Sequence, residues 1–194
     1  MARMVFVRHG QTDWNIQGRW QGHSDIPLND EGINQAEVVA EILRNEIIDH
    51  VYSSDLTRAV QTARSINQFH QKEIIQDPRL REQNLGRWEG IFHREISTIY
   101  PEEWERFLLD PENTQISGGE STGQLSDRIV SAITEIAKRH LDESVMIVAH
   151  GLALAVFFCF LEGIPIRDAY RKVPENAKPI FLEWNGEGPV TQSH

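Results

Sequence analysis

Residues 5–15 read V-F-V-R-H-G-Q-T-D-W-N, so that a short apolar run ends abruptly in arginine, histidine and glycine. The run 4–7 is rich in β-branched and aromatic residues and too short for a helix, which predicts a buried strand delivering Arg8 and His9 at its end. In open α/β sheets ligands bind in the crevice beyond the carboxyl ends of the strands, and Gly10 allows the backbone to approach one closely. Residues 145–149, V-M-I-V-A, are the most strand-like run in the chain and stop at His150-Gly151 in the same manner. Arg58 falls in the first turn of a predicted helix. Helical side chains lean towards the helix N-terminus, so it is aimed at the mouth of the strand before it, where Arg8 can meet it. A loop rich in charge, 77–90, adds Glu82.

Two imidazoles, two guanidiniums and a carboxylate form a set suited to phosphoryl transfer. Arginine matches phosphate oxygens with a planar fork of donors, and a helix starting after His150-Gly151 would offer backbone N–H groups to the same anion. A neutral imidazole can attack phosphorus and form a covalent intermediate, and His9 is better placed for this than His150. Neighbouring positive charge disfavours protonation of His9, whereas a bound phosphate pulls the other way, and the sequence leaves that balance open. A carboxylic acid near the pocket can protonate the leaving alkoxide and then serve as base for water, a role that fits Glu82. Each residue has a plainer alternative. Arg58 can be a solvated helix residue, Glu82 half of a surface ion pair with Arg79 or Arg81, and Glu89 is the competing carboxylate, though the W-E-G turn reads as structural.

The elements that must hold these groups follow an α/β order. Helical spacing predicts a helix over 33–43 capped by Asn29 or Asp30, a strand at 50–53, a helix to residue 66 capped by Ser54 or Asp55, and a third strand at 72–75. Residues 16–32, with Gly18, Gly22 and Pro27, read as a loop over the site. Two short helical pieces in 91–123 carry Tyr100, Trp104, Phe107 and Leu108. They form either a small cap or a cover for one sheet edge. A long helix starts at Ser121 or Thr122 and runs to Arg139, another spans 152–161, a last strand lies at 180–184, and the tail from Asn185 is expected to be weakly ordered. The fold class is therefore α/β, a three-layer αβα sandwich with a mostly parallel central sheet and a small helical cap insertion. Trp20, Phe92, Trp104 and Phe107 are candidates to line an apolar approach for a small organic phosphate.

The 194 residues suit one domain, 1–194, with the cap at about 91–123. A net charge of −10 argues against a broad basic surface for nucleic acid or an anionic membrane, so a phosphate site must be local. No apolar run approaches the roughly twenty residues that span a bilayer, and no cleavable signal precedes the first strand. The lone cysteine, Cys159, cannot form an internal disulfide, which fits a reducing cytoplasm. Of eight histidines none pairs with another at i, i+3 or i+4 on one helix, and the lone cysteine cannot anchor a zinc site, so no structural metal is expected; no cofactor is expected either. His23, His50, His70, His93, His140 and His194 read as surface or loop residues, with His23 and His93 within possible reach of the pocket. Oligomeric state is left open.

The segments V-R-H-G-Q-T-D-W-N, S-S-D-L-T-R-A-V-Q-T-A, L-R-E-Q-N-L-G-R-W-E-G and V-A-H-G, in that order, resemble the motifs of the histidine phosphatase superfamily, the phosphoglycerate mutase-like group. The length is nearer that of its short bacterial phosphatases than of its mutases. The resemblance implies that His9 becomes phosphorylated, that Arg8, Arg58 and His150 hold the phosphoryl group, and that Glu82 donates the proton. It also implies that Asn15, Gln21, Gly22 and the Gly151 amide contact phosphate or substrate, with no metal required. The expected activity is hydrolysis of a small phosphomonoester. The alternatives are mutase-type phosphoryl transfer and a catalytically silent phosphate-binding module.

Overall fold

The computed structural model describes residues 1–187. Five strands, β1 (Ala2–Arg8), β2 (His50–Ser53), β3 (Ile74–Gln76), β4 (Ser144–Ala149) and β5 (Pro179–Trp184), form one sheet in the order β3-β2-β4-β1-β5. All pairings are parallel except that of β1 with β5. Alternation along the strands divides the core. Met4, Phe6, Val145 and Ile147 face one side, where α6 (Thr122–Arg139) and α7 (Gly151–Glu162) cover them. Val5, Val7, Met146 and Val148 face the other, against α2 (Asp30–Leu43) and α3 (Thr57–Asn67). Strands buried on both faces read as continuous apolar runs for this reason, and the three-layer α/β arrangement is the one expected.

Local differences have local causes. A short helix, α1 (Asp13–Gln17), begins just before the expected loop. Thr12 and Asn15 close a capping box around its first turn, but it buries no residue and so carries no apolar periodicity. Asn29 caps α2. The N-cap of α3 is Leu56 and not Ser54 or Asp55, whose side chains are engaged elsewhere, and β3 lies two residues later than expected at its start. Two helices, α4 (Ile96–Ile99) and α5 (Pro101–Leu109), lie in the 91–123 segment. Their Ile96 and Phe107 pack with Leu85, Trp88 and Ile116 in a third apolar cluster, with Trp20, Tyr100 and Trp104 against it. Trp104 and Phe107 thus serve as packing, not as lining of the approach. Phe92 instead lies beneath the Arg19 guanidinium at 3.9 Å. Most of the expected weakly ordered tail lies outside the described residues.

Candidate active site

β1 and β4 are adjacent and parallel with Arg8 opposite Ala149, so their ends deliver His9 and His150 side by side, with ring centroids 5.1 Å apart. Both rings are buried, as is Arg58. The His9 Nδ1 lies 2.7 Å from the carbonyl oxygen of Gly10. A carbonyl can only accept, so Nδ1 carries the proton and Nε2 keeps its lone pair. Thr62 Oγ1 accepts from the Gly10 N–H at 3.0 Å, and Asn176 Nδ2 donates to the His9 carbonyl at 2.7 Å, so backbone on both sides of the ring is held.

Arg58 donates through Nη1 to the Ser24 carbonyl and through Nη2 to that of Gly22, at 2.8 and 2.9 Å. Arg8 donates through Nη1 to the Pro174 carbonyl at 2.7 Å. His150 Nε2 pairs with Ser54 Oγ at 2.8 Å. These bonds leave Arg8 Nε, Arg58 Nε and His150 Nδ1 buried without a partner. Ser54 Oγ accepts from the Leu56 N–H and so donates to His150 Nε2, which leaves the ring proton on Nδ1. An unpaired buried donor costs about 1–3 kcal/mol, and three of them beside His9 make this a candidate place for the acceptor atoms of a ligand. Burial above all, then the charges of Arg58 and Arg8, hold the His9 imidazole well below the ordinary histidine value. His150 is lowered likewise, by burial first and by Arg58 second. Burial also brings the Arg58 guanidinium down to about 10. The balance left open by the sequence is thus struck, in the absence of a ligand, in favour of a neutral His9.

Glu82 occupies an unexpected position. Its carboxylate oxygens accept from the N–H groups of Leu152 and Ala153, each at 3.0 Å, and Oε1 accepts from the Gln83 N–H at 2.9 Å. His150, the N-cap of α7, makes no side-chain cap, so Glu82 caps this helix from a distant loop and takes two amides expected to face an anion. It forms no ion pair with Arg79, which pairs with Asp77 and Glu135, or with Arg81, which pairs with Asp55. Arg128 fixes the loop by donating to the carbonyls of Arg79, Arg81 and Glu82. Glu89 accepts from the His23 N–H, the Leu85 N–H and Ser24 Oγ, and so braces the loop under Arg58.

Beside these groups opens a cavity of about 550 Å³, lined among others by Arg8, Asn15, Gln21, Glu82 and Gly151. Asn15 Oδ1 is committed to Thr12, and Gln21 Oε1 accepts from Thr12 Oγ1 at 2.9 Å, which leaves the amide NH₂ of each to donate to a ligand. Gly22 does not line the cavity and bears on the site through Arg58. Trp20 and His93 form part of the wall, as the sequence allowed, and His23 Nε2 meets the Glu82 carbonyl at 2.9 Å.

Residues 4–194 match the histidine phosphatase superfamily (branch 1). The chain belongs to that superfamily. It is 33% identical to phosphoserine phosphatase 1 of Hydrogenobacter thermophilus over 166 residues, 86% of this chain and 79% of that one. It is 44% identical to phosphoglycerate mutase-like protein 4 of Arabidopsis thaliana over 153 residues, 77% of this chain and 66% of that one. A mycobacterial glucosyl-3-phosphoglycerate phosphatase superposes with a TM-score of 0.82 at 32% identity, covering 93% of this chain and 92% of the other. Relatives of this histidine phosphatase superfamily member therefore bear both phosphatase and mutase-like names.

Within this superfamily member, several residues beside the candidate site take no role there from the sequence, although Ser54, Thr62 and Gln83 fall inside the quoted motifs. Ser54, Thr62, Gln83, Tyr170, Pro174 and Asn176 each make a hydrogen bond to a partner distant in sequence. Tyr170 donates to Gln83 Oε1 at 3.2 Å, and burial raises its phenol. Among the described residues, no helix is long and apolar enough to cross a membrane.

Proposed function

We propose that the protein hydrolyses small phosphomonoesters through a phosphohistidine at His9. The observation that carries this reading is the free Nε2 of a neutral His9 beside three unpartnered donors, Arg8 Nε, Arg58 Nε and His150 Nδ1. In the first step Nε2 forms a bond to phosphorus, the ester P–O bond breaks, and Glu82 in its acid form gives its proton to the leaving oxygen. In the second step the Glu82 carboxylate takes a proton from water as that water attacks the phosphohistidine, which releases inorganic phosphate and restores His9. Arg8, Arg58 and His150 bind the equatorial phosphoryl oxygens, and the NH₂ groups of Asn15 and Gln21 with the Gly151 amide extend the cradle. A protonated Glu82 oxygen cannot accept along the same direction, so turnover asks the carboxyl to release one of its N–H partners. The chain acts as one domain, in which the 91–123 segment packs against Leu85 and Trp88 of the loop carrying Glu82 and gives His93 to the cavity wall.

Relatives with mutase-like names support a second reading, in which the phosphoryl group returns to another oxygen of the substrate. A panel of phosphorylated metabolites incubated with EDTA-treated enzyme separates the readings. Release of inorganic phosphate is expected. Conversion of 3-phosphoglycerate to its 2-isomer without release would favour the mutase. Inertness to every ester would favour a silent binding module.

A further inference from the structure

At the opposite end of the strands from His9, three side chains from separate segments converge. His50 opens β2, His140 closes α6, and Glu143 lies in the turn leading to β4. Glu143 Oε2 is 3.0 Å from His50 Nε2 and 2.8 Å from His140 Nδ1, and the three atoms all lie within 4.8 Å of one another. The imidazole rings are 3.8 Å apart between centroids. His140 is buried, contrary to its reading as a surface residue, and its other nitrogen, Nε2, is 2.9 Å from the hydroxyl of buried Tyr52. That contact orients the ring in the way a hydroxyl or carbonyl outside a metal site orients a ligating histidine. Among the described residues this is the one grouping of three potential metal ligands with such spacing.

We propose that His50 Nε2, His140 Nδ1 and Glu143 Oε2 bind a divalent transition-metal ion of the zinc type. Two imidazoles and one carboxylate suit a borderline ion such as Zn²⁺ and not Mg²⁺ or Ca²⁺, which favour oxygen ligands. Three protein ligands leave a fourth tetrahedral position for water. In this structure Glu143 Oε2 can only accept, so His140 Nδ1 carries the proton and the Tyr52 hydroxyl donates to Nε2; a bound metal replaces the Nδ1 proton, and Tyr52 Oη then accepts from the Nε2–H of the ligating ring. His50 and Glu143 are partly exposed, which gives an ion a path in. The two ends of β4 place this site about 20 Å from His9, so the ion ties the start of β2 to the end of α6 and takes no part in phosphoryl transfer.

The sequence argument against metal rested on histidine spacing along one helix. Here the two histidines are brought together by β2 and α6 from 90 positions apart.

The test is a titration of metal-stripped protein with Zn²⁺ against a chromophoric chelator, repeated with Co²⁺ to read coordination from its visible spectrum. One equivalent is expected to bind with a tetrahedral cobalt spectrum and to raise the melting temperature. His50→Ala and Glu143→Gln, both at accessible side chains, should each weaken binding by at least about tenfold, whereas His9→Ala should leave it intact. No uptake by the wild type at micromolar free zinc, or unchanged uptake in both variants, would overturn the proposal.

Discussion

His9 holds its Nδ1 against the Gly10 carbonyl, and that contact decides which nitrogen would attack phosphorus in the proposed mechanism. Around it Arg8 Nε, Arg58 Nε and His150 Nδ1 are buried without partners, so if they bind the phosphoryl group as proposed, removing one should be felt in the transition state more than in the fold of the sheet. Arg58→Ala should lower kcat/KM on the order of a hundredfold or more and weaken inhibition by inorganic phosphate, measured by steady-state kinetics. Glu82→Gln separates acid catalysis from helix capping, because the amide oxygen still accepts N–H bonds but the proton is gone. Alkyl phosphates should slow by roughly 10²–10⁴, with much less loss on an activated aryl phosphate whose leaving group needs no proton. Equal loss on both would remove Glu82 from the acid role.

The two helices that present their N-termini to this region, α3 and α7, both lack caps of their own. Asp25 accepts from the N–H and hydroxyl of Thr57, each at 2.7 Å, and so caps α3 as Glu82 caps α7. Since Arg58 follows Thr57, Asp25→Ala should cost about 1 kcal/mol in denaturant stability and also raise KM by loosening Arg58. A stability loss with kinetics untouched would show that the cap does not position the arginine. Element entry is tight elsewhere too. A Cβ on Gly32 would collide with the Gln11 carbonyl at the start of α2. Gly32→Ala should therefore displace the segment after His9 and depress kcat, read by kinetics alongside circular dichroism. These features mark what was legible in the sequence. Strands β1 and β4 were plain because burial on both faces makes them uniformly apolar, and the four motifs marked Arg8, His9, Arg58, Glu82 and His150. The polar helix α1, the borrowed caps and the bonds from Asn176 and Ser54 were not, since each depends on contacts distant in sequence. Aromatic content alone was also misleading: Trp104 and Phe107 are large enough to wall a cleft but pack into an apolar cluster of their own.

At the scale of the molecule, a chain of net charge −10 gathers local positive charge at the carboxyl ends of its central strands and keeps two neutral imidazoles there. Both have folded values below the ordinary 6.5, so the unfolded chain binds more protons just beneath that pH. Their contribution to stability is present above pH 6.5 and is lost as pH falls towards the folded values, by up to about 1.4 kcal/mol per pH unit for each imidazole. Denaturant midpoints should fall between pH 7 and pH 5.5 in the wild type and fall less steeply in His9→Asn. Parallel slopes would mean that His9 is not held neutral. The most direct examination of the phosphoryl-transfer mechanism is rapid acid-free quenching of enzyme mixed with a ³²P-labelled phosphomonoester, followed by peptide mapping. We expect an acid-labile, base-stable label on the peptide carrying His9, absent in His9→Ala and turning over at the rate of phosphate release. Phosphate release with no label on that histidine, or undiminished release by His9→Ala, would contradict it.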